Sequence, residues 1–118
     1  MRSNRILLVE DHPDVRPMLE QMLLGEGYRV DVAATAMQAA PLLEASCYDL
    51  VLTDGVLPDG DGVAIADQAK AQDTPALILT GYAPRFAKEH FARHEFVTKP
   101  VRTADLLAAV ARKLAAAR

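Results

Sequence analysis

Short apolar runs alternate with segments of helical length along this chain, and this alternation restricts the possible folds more than any other feature. The runs span Arg5–Val9, Tyr28–Ala33, Asp49–Thr53, Ala76–Thr80 and Glu95–Val97. They lack the strict polar–apolar alternation of a half-exposed sheet, so we predict strands that are buried on both faces. Strands that alternate with helices form parallel βαβ units. The pattern therefore predicts an α/β fold in which about five helices cover both faces of a five-stranded parallel sheet.

Composition excludes several classes of protein. The 118 residues are 51% hydrophobic and 25% charged, which suits a single domain spanning residues 1–118. A net charge of −3 argues against a direct nucleic-acid interface, and no stretch is long and apolar enough to cross a membrane. Cys47 has no partner for an internal disulfide, so we expect a small buried residue. We therefore expect a cytoplasmic protein.

Capping residues predict where the helices begin. Asp14 is suited to the N-cap of a first helix, because Pro17 then falls in the first turn. Thr35-Ala36-Met37-Gln38 fits a capping box that opens a second helix. Pro41 then predicts either a kink or a later start, because an interior proline costs about 3 kcal/mol. A third helix is predicted over Val63–Ala71.

Two further helical segments follow. The last helix runs from about Thr103 to the end of the chain, and the segment from Pro84 to Arg93 has the weakest helical pattern. Apolar residues at helical spacing predict the inner faces of the first and last helices. These residues are Val15, Met18, Leu19, Met22 and Leu23 in the first helix, and Leu106, Leu107, Val110 and Leu114 in the last.

Polar residues stand at the carboxyl ends of the predicted strands. They are Glu10 and Asp11, Asp54, Thr80 and Lys99. The carboxyl ends of parallel strands share one edge of a sheet, and in the doubly wound order 2-1-3-4-5 the first and third strands flank the ligand-binding switch point. Clustered carboxylates favour a hard cation such as Mg²⁺. With a lysine and a hydroxyl nearby, the set predicts phosphoryl transfer to a carboxylate, with Asp54 as the nucleophile.

At these residues the chain resembles the receiver domain of two-component response regulators. The resemblance covers essentially the whole chain and rests on the segments VED, LVLTDGVLPDGDG, LILTG and EFVTKP. The proline and glycine that the family pattern places after the acceptor correspond to Pro58 and Gly62. The resemblance implies a flavodoxin-like fold and a phosphoprotein of signal transduction.

The resemblance also implies a role for each residue of the acceptor site. Asp54 would accept a phosphoryl group from a histidine kinase or a histidine phosphotransfer protein. Asp11 and Asp54 would bind Mg²⁺ directly, with Mn²⁺ as a possible substitute. Glu10 would assist through water, and the backbone carbonyl of Val56 would complete the protein ligands.

Further implied roles concern switching. Lys99 would contact the phosphoryl oxygens, and Thr80 would swing to hydrogen-bond the phosphoryl group. Phe96 would rotate inward, with Tyr82 as a second candidate for the moving aromatic residue. Pro100 would follow a cis peptide bond. The surface formed by the Pro84–Arg93 segment, the fifth strand and the last helix would then bind an unidentified downstream protein.

The chain departs from the family pattern in two places. Gly55 stands where an aliphatic residue is usual, and Val56 stands where many members have a polar residue that positions water. Both departures predict slow self-dephosphorylation. The stretch from Thr80 to Lys99 is about three residues shorter than usual, and its TGYA sequence resembles receivers attached to hybrid sensor kinases.

Other interpretations remain open. Asp59 and Asp61 are suited to turns without a ligand role, and His90 and His94 to an exposed pair rather than a metal site. A phosphatase with an aspartate nucleophile would require an acid where Val56 stands. An FMN carrier would not place acids after the first strand. A receiver that binds partners without phosphorylation stays possible. We expect no enzymatic activity beyond self-phosphorylation and self-dephosphorylation.

Overall fold

A five-stranded parallel sheet forms the centre of the computed structural model, which describes residues 4–81 and 93–116. The strands are β1 (Arg5–Val9), β2 (Arg29–Ala33), β3 (Leu50–Asp54), β4 (Val56–Leu57), β5 (Gly60–Asp61), β6 (Ala76–Thr80) and β7 (Glu95–Thr98). The sheet order is β2-β1-β3-β6-β7, and β4 and β5 form a separate antiparallel ribbon. Without the ribbon, which the sequence did not predict, this is the predicted doubly wound order.

Helices cover both faces of the sheet, as predicted. They are α1 (Val15–Gly25), α2 (Ala36–Ala45), α3 (Gly62–Ala71) and α4 (Thr103–Ala116). Alternate residues of β1 enter opposite cores: Leu7 and Val9 lie on the side of α2 and α3, and Ile6 and Leu8 on the side of α1 and α4. The helix predicted over Pro84–Arg93 lies outside the described residues, apart from Arg93. None of the four described helices could cross a membrane.

Burial follows the position of each strand in the sheet. All five residues of β3 and of β6 are buried, as are the last four of β1. The edge strands β2 and β7 are only partly buried. The uninterrupted apolar runs are therefore explained by helices on both sides, as in parallel sheets generally.

The N-termini of α1 and α2 differ from each other in how they are capped. Asp14 is the N-cap of α1 but makes no side-chain cap, because Nδ1 of His12 accepts the backbone N–H groups of Asp14 (3.1 Å) and Val15 (3.4 Å). Thr35 caps α2 as predicted, by accepting the N–H of Gln38 at 3.1 Å. Helix α2 starts at Ala36 and contains Pro41, so the late start is wrong.

Two predicted core positions are exposed. Met18 is 59% exposed, and of the predicted inner face of α1 only Leu19 and Leu23 are buried. Cys47 is exposed rather than buried, since it lies in the turn between α2 and β3. On the predicted inner face of α4, Leu106, Val110 and Leu114 are buried, and Leu107 is partly buried against the same core.

A close approach between α3 and β3 fixes the backbone at Asp54. The N–H of Gly62 donates to the carbonyl oxygen of Gly55 at 2.9 Å. A Cβ atom on Gly62 would lie 1.9 Å from the carbonyl oxygen of Asp54, so glycine is required there. Asp61 caps α3 by accepting the N–H of Ala64 at 2.9 Å. The end of β3 and the start of α3 are thereby packed backbone against backbone.

Replacing Gly62 by alanine should destabilise the protein by about 2 kcal/mol or more, because the new methyl group would overlap a backbone atom that cannot move independently. Urea unfolding measures this change. Gly25→Ala is the matched control, since a Cβ there has nothing within 4 Å. Equal stability of the two variants would contradict the assigned close approach.

Candidate functional site

Strand register brings the predicted polar residues to one edge of the sheet. Val9 pairs with Thr53 and Asp54 pairs with Leu79, so Glu10 follows β1 beside the end of β3. Thr80 pairs with Thr98, which places Lys99 directly after the adjacent end of β7. The carboxyl ends of four neighbouring strands, β1, β3, β6 and β7, therefore lie along the same edge of the sheet.

Three carboxyl groups form an acidic cluster in this crevice. One oxygen atom each from Glu10, Asp11 and Asp54 lies within 4.8 Å of the others. Glu10 is 1% exposed and Asp54 is 6% exposed, whereas Asp11 is exposed to solvent. Burying two carboxylates side by side is costly unless a cation or a proton compensates them.

Lys99 supplies part of the compensation. Its Nζ atom lies 2.5 Å from Oδ1 of Asp54 and 3.3 Å from Oε1 of Glu10. The backbone N–H of Lys99 donates to the carbonyl oxygen of Thr80 at 2.7 Å, which holds the start of this side chain against β6. Three carboxylates still exceed one ammonium group, so the fully ionised cluster keeps an excess of negative charge.

A proton compensates a further part of this charge. Burial first, and the neighbouring Glu10 second, raise the pKa of Asp54 to about 8, although Lys99 opposes the shift. Burial also acts to raise the pKa of Glu10, but hydrogen bonds with Asp54, the His12 N–H and Lys99 outweigh it and lower that pKa. The raised pKa of Asp54 favours retention of one proton by the pair near neutral pH. The carboxylates raise the pKa of Lys99 against the effect of its burial, so Lys99 stays charged.

Two residues whose contacts the sequence did not predict hold the acidic pair: His12 holds the Glu10 side chain, and Arg16 holds the backbone of the pair. The N–H of His12 donates to Oε2 of Glu10 at 3.1 Å. Nη1 of Arg16 donates to the carbonyl oxygens of Glu10 (3.1 Å) and Asp11 (3.3 Å). A cation in the first turn of a helix is unfavourable beside the helix dipole. An arginine in the first turn of the predicted helix was therefore the one indication in the sequence that Arg16 makes a specific contact.

The remaining predicted site residues differ in burial and in the element that carries them. Thr80 is 3% exposed at the end of β6, and Val56 is 44% exposed in the ribbon that follows Asp54. The Lys99–Pro100 peptide bond is cis. Phe96 is partly buried against the core on the side of α2 and α3. Tyr82 lies outside the described residues.

Three residues that the sequence assigned to turns or to the surface have specific partners. Asp61 caps α3, and Asp59 accepts two N–H groups at the start of α2. The His94 side chain is 4% exposed, and its Nε2 atom lies 2.6 Å from Oδ1 of Asp67. The predicted exposed histidine pair is therefore wrong for His94, whose side chain is buried and contacts Asp67 of α3. His90 lies outside the described residues.

Comparison with known proteins agrees with this fold and cluster. Residues 6–111 match the sequence profile of the response regulator receiver domain. The receiver domain protein of Methanospirillum hungatei has a similar structure, with 30% identity, a TM-score of 0.87, and coverage of 98% of this chain and 97% of that one. The receiver domain of the Pseudomonas aeruginosa sensor histidine kinase PA1611 was solved with magnesium in its active-site cleft. It shares 30% identity over 97% of this chain and 99% of that one, with a TM-score of 0.84.

The chain is a doubly wound α/β domain with an acidic crevice at the carboxyl edge of its sheet. The chain belongs to the response regulator receiver domain family. It is a phosphoacceptor module of two-component signalling. The transcriptional regulatory protein TcrA of Mycobacterium tuberculosis is 33% identical over 88% of this chain, but the match covers only 43% of TcrA. The chain also spans about half the length of several other matched regulators.

The buried carboxyl pair predicts that stability in the absence of metal falls as pH rises from about 4 to about 8. The pKa of Asp54 is about 8 in the folded protein but about 3.9 when unfolded, so the proton that stabilises the fold is lost across this window. Glu10 has a lowered pKa, so its contribution is lost only below this window. We expect a decrease of about 1–3 kcal/mol in the free energy of unfolding.

Urea unfolding in a chelating buffer, repeated across this pH range, measures the effect. Asp54→Asn is the control, because it removes the titrating carboxyl group and should flatten the pH dependence. Parallel curves for the two proteins would show that Asp54 does not hold the proton.

Proposed function

We propose that Asp54 is the phosphoacceptor and that a histidine kinase or histidine phosphotransfer protein is its phosphodonor. The observation that carries the proposal is the meeting of Glu10, Asp11 and Asp54 within 4.8 Å, with Lys99 against two of them. Asp54 ends a fully buried strand, so its backbone is rigid while its carboxyl group faces the crevice edge. A positioned carboxylate beside an ammonium group is the arrangement that phosphoryl transfer requires.

The donor set fits Mg²⁺, with Mn²⁺ as a substitute. Asp11 and Asp54 would hold the ion directly, Glu10 would assist through water, and the backbone carbonyl of Val56 would complete the protein ligands. All of these ligand atoms are oxygens, as Mg²⁺ prefers, and the excess negative charge of the cluster favours a divalent cation. When bound, the ion neutralises negative charge on the phosphoryl oxygens. Its binding is linked to loss of the proton from Asp54.

In the transfer step, a carboxylate oxygen of Asp54 attacks the phosphorus atom of a phosphohistidine. The new P–O bond forms as the P–N bond breaks, and the donor imidazole keeps the electron pair and takes up a proton from solvent. Lys99 would leave its contact with Asp54 Oδ1 to bind the phosphoryl oxygens. Its charge persists because the carboxylates keep its pKa high.

Phosphorylation would then change a protein-binding surface. Thr80, buried at the end of β6, would donate its hydroxyl to the phosphoryl group, and Phe96 or Tyr82 would move into the vacated space. The surface that changes comprises the Pro84–Arg93 segment, β7 and α4, and an unidentified downstream protein would bind it. Support for this step comes from the backbone link between Thr80 and Lys99, which couples β6 to β7 beside the acceptor.

Incubation with Mg²⁺ and acetyl phosphate should add one phosphoryl group to the wild-type protein, detected by intact-protein mass spectrometry. The adduct should be stable in acid and labile in base, as an acyl phosphate is. Asp54→Asn should abolish it, and Asp59→Asn, an equal change of charge in the same loop, should retain it when Mg²⁺ is saturating. If the wild-type protein stays unmodified, the result would indicate an interaction module that binds partners without phosphorylation. Continuous release of phosphate would indicate a phosphatase.

We expect slow self-dephosphorylation, because the apolar side chain of Val56 cannot position an attacking water molecule at the crevice. Val56→Asn should accelerate loss of the phosphoryl group several-fold, because an amide can orient water toward the acyl phosphate. Val32→Asn is the matched control, since Val32 is similarly exposed (39% against 44%) but lies on edge strand β2. The decay of the phosphorylated form after removal of the donor gives both rates. Unchanged decay in Val56→Asn would reject this explanation.

A further inference from the structure

Asp59 links the loop after the acceptor to the start of α2. Its Oδ1 atom accepts the N–H of Ala36 at 2.8 Å, and its Oδ2 atom accepts the N–H of Met37 at 2.9 Å. The first N–H groups of a helix have no partner within the helix, and the helix dipole attracts a negative charge to them. One carboxylate therefore satisfies two of these groups in an element that lies 22 to 23 residues away in the chain.

Other contacts show that the loop and the helix meet at this point. A Cβ atom on Gly60 would lie 3.7 Å from Cβ of Ala36, which is ordinary van der Waals contact. The N–H groups of Met37 and Ala36 hold the pKa of Asp59 below its usual range, so the carboxylate is charged at neutral pH. Thr35 caps the next N–H group, that of Gln38, so α2 has a second cap that does not involve the loop.

The loop that Asp59 holds also carries Val56. Val56 pairs with Asp61, and Leu57 pairs with Gly60, in the two-residue ribbon whose turn contains Pro58 and Asp59. The ribbon is short, and a pair of two-residue strands has little stability without outside contacts. At its far end the ribbon is fixed by Asp61 and Gly62 to α3. At its tip the contact with α2 is provided by Asp59.

We propose that Asp59 is a positioning residue for cation binding, which fixes the backbone carbonyl of Val56 at the acidic cluster by anchoring the ribbon to α2. The inference rests on the proposed function, in which that carbonyl is a ligand. Loss of the anchor lets the ribbon move relative to Asp54, so the carbonyl is no longer held in place before the cation arrives. Residues that orient a metal ligand typically affect affinity although they do not touch the ion.

The test is calorimetric titration of the purified protein with MgCl₂ at constant ionic strength. Asp59→Ala should raise the dissociation constant about threefold to tenfold. Asp59→Asn should raise it less, because an amide oxygen still caps a helix N-terminus well. The two variants lose the same charge, so the difference between them measures the anchor and not long-range electrostatics.

Thr35→Ala is the matched structural control. It removes a cap from the same end of α2 and should lower the unfolding temperature, but it should leave the Mg²⁺ affinity unchanged because the loop stays anchored. Equal affinities of wild type and Asp59→Ala would overturn the proposal, as would equal losses in Asp59→Ala and Asp59→Asn or a loss of the same size in Thr35→Ala. Absence of Mg²⁺ binding by the wild-type protein would instead refute the proposed function.

Discussion

The compensation of two buried carboxyl groups is the constraint on which this structure depends. Glu10 and Asp54 lie at the carboxyl ends of adjacent strands, almost without exposure. A proton on Asp54 and the ammonium group of Lys99 compensate them, and neither removes the whole charge of the cluster. The cluster therefore keeps an excess of negative charge, which favours a cation. A divalent ion would replace the proton on Asp54, and a phosphoryl group would replace the carboxylates as the partner of the Lys99 ammonium group.

Several specific contacts hold the backbone around this cluster. Gly62 packs directly on the carbonyl group of Asp54, and Arg16 holds the carbonyl groups of Glu10 and Asp11. The loop after Asp54 is tied to α3 through Asp61 and to α2 through Asp59. Any movement of side chains on phosphorylation would therefore take place against a fixed backbone, which is the condition for a small chemical change to be transmitted to other elements.

The sequence predicts the fold and the membership of the cluster because both depend on regular geometry. Uninterrupted apolar runs predicted strands buried on both faces, and the common edge of parallel strands brought Glu10, Asp54 and Lys99 together. The errors concern residues whose partners are remote in the chain. His94 was assigned to the surface because local patterns contain no information about its contact with α3. Asp59 lies in a turn as predicted, but local patterns could not predict its contact with α2. His12 caps α1 in place of Asp14 because its ring reaches two N–H groups from outside the helix.

The sequence by itself determined the order of strands and helices, the edge of the sheet at which polar groups gather, and the residue types that meet there. Periodicity and strand polarity are properties of the local chain, so they can be read from it. Only the tertiary structure decided which group holds the proton, where the Lys99 ammonium lies and how the acceptor loop is anchored. These features depend on distances of a few ångströms between residues that are far apart in the chain, and on the loss of water as the helices close over the sheet.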